Sequence, residues 1–293
     1  MKAGPEKLDP SEVGAQLVAH FKGMFPDYDL ALGRAVFNDV RTMYEGRYLD
    51  YQASNTPYHD FQHTLQVLHC YRDIVDGWLI SGIEPRITPR QYELGAVAVL
   101  FHDTGYLKLR ADMQGTGAKY TFTHVLRSCS FASSHLPQHG VTLAELDSII
   151  AMIRCTEFTQ GSRNFRFQEA VDGILGCAVA TADYLGQMAA PDYPESLPLL
   201  FSELEESDDF ARIPREQRRF NSCEELLADT PVFWRKHVFP RLKCELLGVY
   251  RFLARPYPDG PNSYIDAIEA NIARIEKASK GKKGCKGLVG CKG

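Results

Sequence analysis

Leu94-Gly95-Ala96-Val97-Ala98-Val99-Leu100-Phe101-His102-Asp103 is a run of small and apolar residues that stops abruptly on an imidazole and a carboxylate. As a helix it has no polar face, so it belongs in the centre of a bundle rather than on a surface. A second stretch repeats the arrangement, with Gly176-Cys177-Ala178-Val179-Ala180-Thr181-Ala182 running straight into Asp183. An ionised group at the end of a buried helix is costly unless it is paired or coordinates a metal. His102, Asp103 and Asp183 are therefore the residues whose placement needs a reason.

Outward from these two helices, apolar residues recur at helical spacing through Val13–Phe25, Leu32–Tyr51, Phe61–Ile80, Pro89–Phe101, Phe122–Leu136 and Leu143–Phe158. The pattern resumes through Phe167–Met188, Leu197–Glu205, Ser222–Phe233, Val238–Leu253 and Ser263–Ala278. β-Branched alternation is nearly absent, which predicts an all-α fold, a multi-helix bundle with its chemistry at the centre. The chain has 293 residues, 44% of them apolar, enough for a substantial core. The expected organisation is a pair of N-terminal helices (1–52) packed on a catalytic domain (53–278), followed by a disordered tail (279–293).

That tail is rich in glycine and lysine and cannot bury a core. Six lysines and no acid from Lys277 onward make the body more acidic than the net charge of −4 suggests, and no nucleic-acid partner is expected. No apolar run approaches the roughly 20 residues that span a bilayer, so a cytoplasmic protein with no membrane contact is expected. The eight cysteines include no C-x-x-C pair and read as reduced packing residues.

Adjacent His102-Asp103 offers an imidazole nitrogen and a carboxylate that can converge on a cation. A further histidine has to come from another helix. With Thr56 as N-cap and Pro57 in the first turn, His59 and His63 would sit at i and i+4 on one helical face. Asp183 adds a distant oxygen, and the order His, His-Asp, Asp over separate helices suits a hard or borderline divalent metal.

These residues carry a resemblance. The ordered set His63, His102-Asp103, Asp183 resembles the HD-domain superfamily of metal-dependent phosphohydrolases, and Tyr58-His59-Asp60-Phe61-Gln62-His63 is similar to the Y-H-N-x-x-H signature of its cyclic-nucleotide phosphodiesterase branch. Thr123-His124-Val125-Leu126-Arg127-Ser128 is similar to the H-x-x-x-S segment of HD domains, and the likeness runs from about Tyr58 to Ile275. The resemblance implies an HD/PDEase-like fold and one or two divalent ions, zinc, manganese, iron or magnesium, held by His63, His102, Asp103 and Asp183. It makes His59 the acid that protonates the leaving oxygen, while metal-activated hydroxide attacks phosphorus. A second ion would share Asp103 and use water, with His124 as a further contact.

The departures bear on substrate. The glutamine with which phosphodiesterases hold a nucleobase falls on Thr230, just before Phe233, and His102-Asp103-Thr104-Gly105-Tyr106 lacks the D-H-P-G that follows in the eukaryotic-type enzymes. His124, Lys108, Thr230 and Phe233 are the candidate substrate contacts, with Arg110 and Arg127 as further cations near the motifs. The expected function is hydrolysis of a cyclic nucleotide or similar small phosphodiester. A nucleotide phosphomonoesterase, an oxygenase on the same scaffold and a non-catalytic nucleotide-binding module are the alternatives.

Overall fold

The computed structural model describes residues 8–157 and 167–286, the side chains of 280–286 excepted. The helices are α1 (Pro10–Met24), α2 (Ala31–Tyr44), α3 (Phe61–Ser81), α4 (Pro89–Phe101), α5 (His124–His135), α6 (Leu143–Arg154), α7 (Ala170–Met188), α8 (Tyr193–Phe210), α9 (Cys223–Phe233), α10 (Phe239–Cys244) and α11 (Ser263–Lys286). Extended pairing among the described residues is confined to two isolated bridges, Glu45 with Ala53 and Tyr51 with Leu109. The fold is all-α.

Local chemistry sets the helix ends. Thr88 and Gln91 form a capping box ahead of Pro89 at the start of α4, and Thr142 and Glu145 do the same for α6. Asp60 caps α3 by accepting from the Gln62 and His63 amides, and Gly82 closes the helix in the left-handed region. The two apolar stretches are indeed central. Within Leu94–Phe101 and Gly176–Ala182 every residue but Ala96 is buried, and α3 lies along α7 in the most extensive helix pairing among the described residues. Gly186 permits that approach, since a Cβ there would stand 2.9 Å from the Gln66 carbonyl oxygen.

α1 and α2 are fastened to this body by buried acids. Glu93 of α4 accepts from the Tyr28 hydroxyl, the Gly33 amide and Arg90 at 2.7, 2.7 and 2.9 Å, while Asp76 of α3 pairs with His20 at 2.5 Å. On the other side, Ile268, Ile272 and Ile275 of α11 are buried; each apolar side chain of this kind contributes about 1.5–3 kcal/mol when fully removed from water.

Two predicted helices are interrupted. The one expected to reach Tyr51 stops at Tyr44, because Gly46 takes a positive φ and Ser54 donates its amide to the Tyr44 carbonyl. The one expected over Val238–Leu253 is broken by Leu247 and Gly248, both with positive φ. A widened π-helical turn at Trp234–Val238 precedes α10 at Pro240, which has no amide to donate. The start expected for the tail falls inside α11, which continues to Lys286, and residues 287–293 lie outside the described residues. No helix among the described residues is long and apolar enough to cross a membrane. Cys70, Cys129, Cys155 and Cys177 are buried and free.

Candidate metal centre and substrate cavity

Three helices bring the four side chains expected as ligands to one point. His102 caps the C-terminus of α4, and its Nδ1 donates to the Val99 carbonyl at 2.7 Å, which fixes the tautomer and turns Nε2 inward. The His63 Nε2, from the first turn of α3, stands 3.3 Å from His102 Nε2, 3.3 Å from Asp103 Oδ2 and 3.2 Å from Asp183 Oδ1. His102 Nε2 is 3.3 Å from Asp103 Oδ2 and 3.7 Å from Asp183 Oδ1. Asp183 is steered from behind, since the Tyr58 hydroxyl donates to Gln187 (2.7 Å) and the Gln187 amide donates to the Asp183 carboxylate (3.3 Å).

This cluster is strained as it stands. His63, His102 and Asp103 are all buried, and His63 Nδ1 and Asp103 Oδ2 have no hydrogen-bond partner. Burial opposes charge on every member, yet Asp103 and Asp183 raise His63 to about 9, and His102 and His63 hold Asp103 well below the carboxylate range. One buried and one partly buried acid face two imidazole nitrogens across 3.2–3.7 Å, a set of donors whose chemistry suits one divalent ion. His63, His102 and Asp103 are close enough together to hold one.

His59 does not share a helical face with His63. Asp60, not Thr56, is the cap, so His59 precedes α3, while Thr56 donates its hydroxyl to the His59 carbonyl. Proximity survives by another route, with the two rings 5.5 Å apart. Glu203 of α8 holds the segment. One carboxylate oxygen accepts from the Tyr58 and His59 amides (2.6 and 3.2 Å), and the other meets His59 Nδ1 at 2.5 Å. The His59 ring stacks on Tyr106 at 4.8 Å, and Tyr106 stacks in turn on His124 at 4.6 Å. Gly105 makes the sandwich feasible, because the His124 backbone lies where its Cβ would be. His124 donates Nδ1 to the Thr121 carbonyl at 2.6 Å and sets Nε2 3.7 Å from Asp103 Oδ1.

A cavity of about 440 Å³ opens on this cluster, lined by His59, Asp103, Asp183 and His124 and by Thr230 and Phe233 of α9. That volume accommodates a nucleotide-sized ligand. Thr230 is buried, and its hydroxyl is committed to the Leu226 carbonyl at 2.8 Å. Trp234, beside Phe233, is core, with its indole N–H on Glu269 at 2.6 Å.

Lys108, expected at the substrate, does not line the cavity. It is buried with its ammonium on the Gln114 and Gly115 carbonyls, where it holds the loop that follows. Arg127 clamps the Gly105 and Leu107 carbonyls at 2.6 and 2.8 Å, and Arg110 reaches those of Tyr51 and Gly46. A lone cation in a folded chain satisfies its donors on nearby carbonyls when the loop around it supplies them. Glu203 and Tyr106, central to the site, were not singled out by sequence. Glu203 sits in the acidic run Glu203-Leu204-Glu205-Glu206, which reads as a solvated face.

No protein-family model matches the sequence, and no curated protein matches it. Among solved structures, the chain is similar to the phosphodiesterase domain of Salpingoeca rosetta rhodopsin phosphodiesterase, with a TM-score of 0.55 and 17% identity over 96% of this chain and 89% of that one. The chain shares the all-α fold of that phosphodiesterase domain. At this identity the likeness concerns the course of the backbone, and the chemistry rests on the residues described above.

Proposed function

We propose that the protein is a metal-dependent phosphohydrolase that cleaves a small phosphodiester of the size and kind of a cyclic nucleotide. The observation that carries this reading is the meeting, beside one cavity lined by His59, Asp103 and Asp183, of the His63, His102, Asp103, Asp183 cluster with the His59–Glu203 pair. Two imidazoles and two carboxylates accept zinc, manganese, iron or, with added waters, magnesium. A divalent ion held there supplies Lewis acidity, lowering the pKa of water and withdrawing charge from phosphoryl oxygens.

The chain's own groups supply the rest. Glu203 occupies His59 Nδ1, so the proton given to a departing alkoxide is the one on Nε2. Tyr106, packed between the His59 and His124 rings, fixes the plane in which that proton is offered. Asp103, flanked by His63, His102 and His124, is the carboxylate placed to serve a second ion if two are bound. Phe233 offers a face for a planar group on the leaving side, which fits a nucleoside better than a compact alkyl ester.

A panel of aryl phosphodiesters, cyclic nucleotides and nucleoside monophosphates, run on protein loaded with zinc, manganese or iron, tests the assignment. A monoester released from a diester is the expected product. Free phosphate from monoesters alone would reassign the protein as a phosphomonoesterase. Dioxygen consumption would indicate an oxygenase, and binding without turnover a nucleotide-binding module.

A further inference from the structure

We propose that Asp39, His135 and His139 form a second zinc site, separate from the catalytic cluster, that ties α2 to the end of α5. His135 is the last residue of α5, and His139 is the last residue of the 3₁₀ turn Leu136–His139 that continues it. Their i, i+4 spacing brings the two Nε2 atoms to 3.1 Å. Asp39 of α2 places one oxygen, Oδ2, 2.9 Å from His135 Nε2 and 3.0 Å from His139 Nε2. The three ligand atoms form a nearly equilateral triangle.

Hydrogen bonding alone does not account for that triangle. With Asp39 a carboxylate, each contact to oxygen needs a proton on the imidazole nitrogen, and the two N–H groups then face each other across 3.1 Å. Removing either proton sets a nitrogen lone pair against the carboxylate. A cation at the centre resolves all three contacts. Donors about 2.0–2.1 Å from a tetrahedral zinc stand about 3.3–3.4 Å apart, so a shift of a few tenths of an ångström completes the geometry.

The surroundings resemble the shell of a ligating histidine. The Tyr48 hydroxyl and the Gln138 side-chain amide both lie 2.9 Å from His135 Nδ1, the nitrogen that does not face the cluster, and orient the ring. His135 is buried, whereas the Asp39 and His139 side chains are 35% and 20% exposed, so the remaining coordination position opens to water. Two imidazoles and one carboxylate favour zinc over the oxygen-seeking magnesium and calcium. The ring of Phe101, whose neighbour His102 belongs to the catalytic cluster, lies 5.7 Å from that of His135, so the zinc would brace the back of the catalytic helix.

The test uses the full chain with the catalytic cluster disabled by His63→Ala and Asp103→Ala, titrated with Zn²⁺ by calorimetry and assayed by elemental analysis after dialysis. One zinc per chain is expected, with affinity at least 100-fold weaker when His139→Ala or the isosteric Asp39→Asn is added. In the otherwise unaltered chain, His139→Ala should lower zinc content by one equivalent. A disabled, folded chain that retains no zinc, or zinc content unchanged by both flank substitutions, would overturn the proposal.

Discussion

The two walls of the active cavity are built on different principles. On one side four of the site's side chains are each held by a directed contact: His102 through Val99, Asp183 through Gln187 and Tyr58, His59 through Glu203, His124 through Thr121. The α9 side offers Phe233, over whose ring the Arg219 guanidinium lies at 5.0 Å, and a threonine whose hydroxyl already serves its own helix. Under the proposed function, reaction chemistry is thus narrowly specified and ligand identity loosely so. Phosphoester hydrolysis needs charges and protons at fixed points, whereas a largely apolar surface accepts many partners.

The sharpest contrast comes from the ligand wall. His63→Ala, Asp103→Ala or Asp183→Ala should each lower turnover by more than the roughly 10²–10⁴-fold that loss of a proton donor explains, because each removes a metal bond as well. Elemental analysis should show the metal lost alongside, and an Asp183→Ala protein with full metal content and activity would remove Asp183 from the site.

His59→Ala should keep metal and fold but lose about 10²–10⁴-fold on substrates with an alkoxide leaving group. Activated aryl esters should suffer much less, since a nitrophenolate departs with little protonation. Equal losses on both substrate types would exclude His59 as the acid.

Glu203→Gln keeps an oxygen for the Tyr58 and His59 amides but loses the charge opposite Nδ1. We expect kcat to fall roughly 10- to 100-fold with KM little changed. A fall in KM-dependent rates alone would mark Glu203 as purely architectural.

The loosely specified wall should give the smallest effects. Because the Thr230 hydroxyl is bonded to Leu226, it cannot offer the paired donor and acceptor that a purine edge calls for. Rates on cyclic AMP, cyclic GMP and cyclic CMP should lie within about a hundredfold of one another, and Thr230→Gln should widen that spread toward a purine. A larger spread in the unaltered protein would mean that another residue reads the base.

The same asymmetry governs what could be read from the sequence. The helices carrying His102-Asp103 and Asp183 were legible because all-round apolar character followed by an ionisable residue is a local pattern. The location of His59 was legible but its geometry was not: Asp60 captured the cap that Thr56 was expected to provide, and the ring is placed instead by Glu203, 144 residues away. Lys108, Arg110 and Arg127 misled for the converse reason. Their nearness to the motifs is sequential, and each is consumed by backbone carbonyls that only the folded loops assemble. His135 and His139 had no motif beside them, since Asp39 joins them only through packing of α2.

The central claim is tested most directly by following hydrolysis of bis(4-nitrophenyl) phosphate, with ³¹P NMR to identify the product, before chelation, after it and after metal is restored. The account predicts release of the monoester by the metal-loaded protein, its loss on chelation, its return with zinc, manganese or iron, and none of this in Asp103→Ala. Hydrolysis that survives chelation, or that persists unchanged in Asp103→Ala, would contradict it.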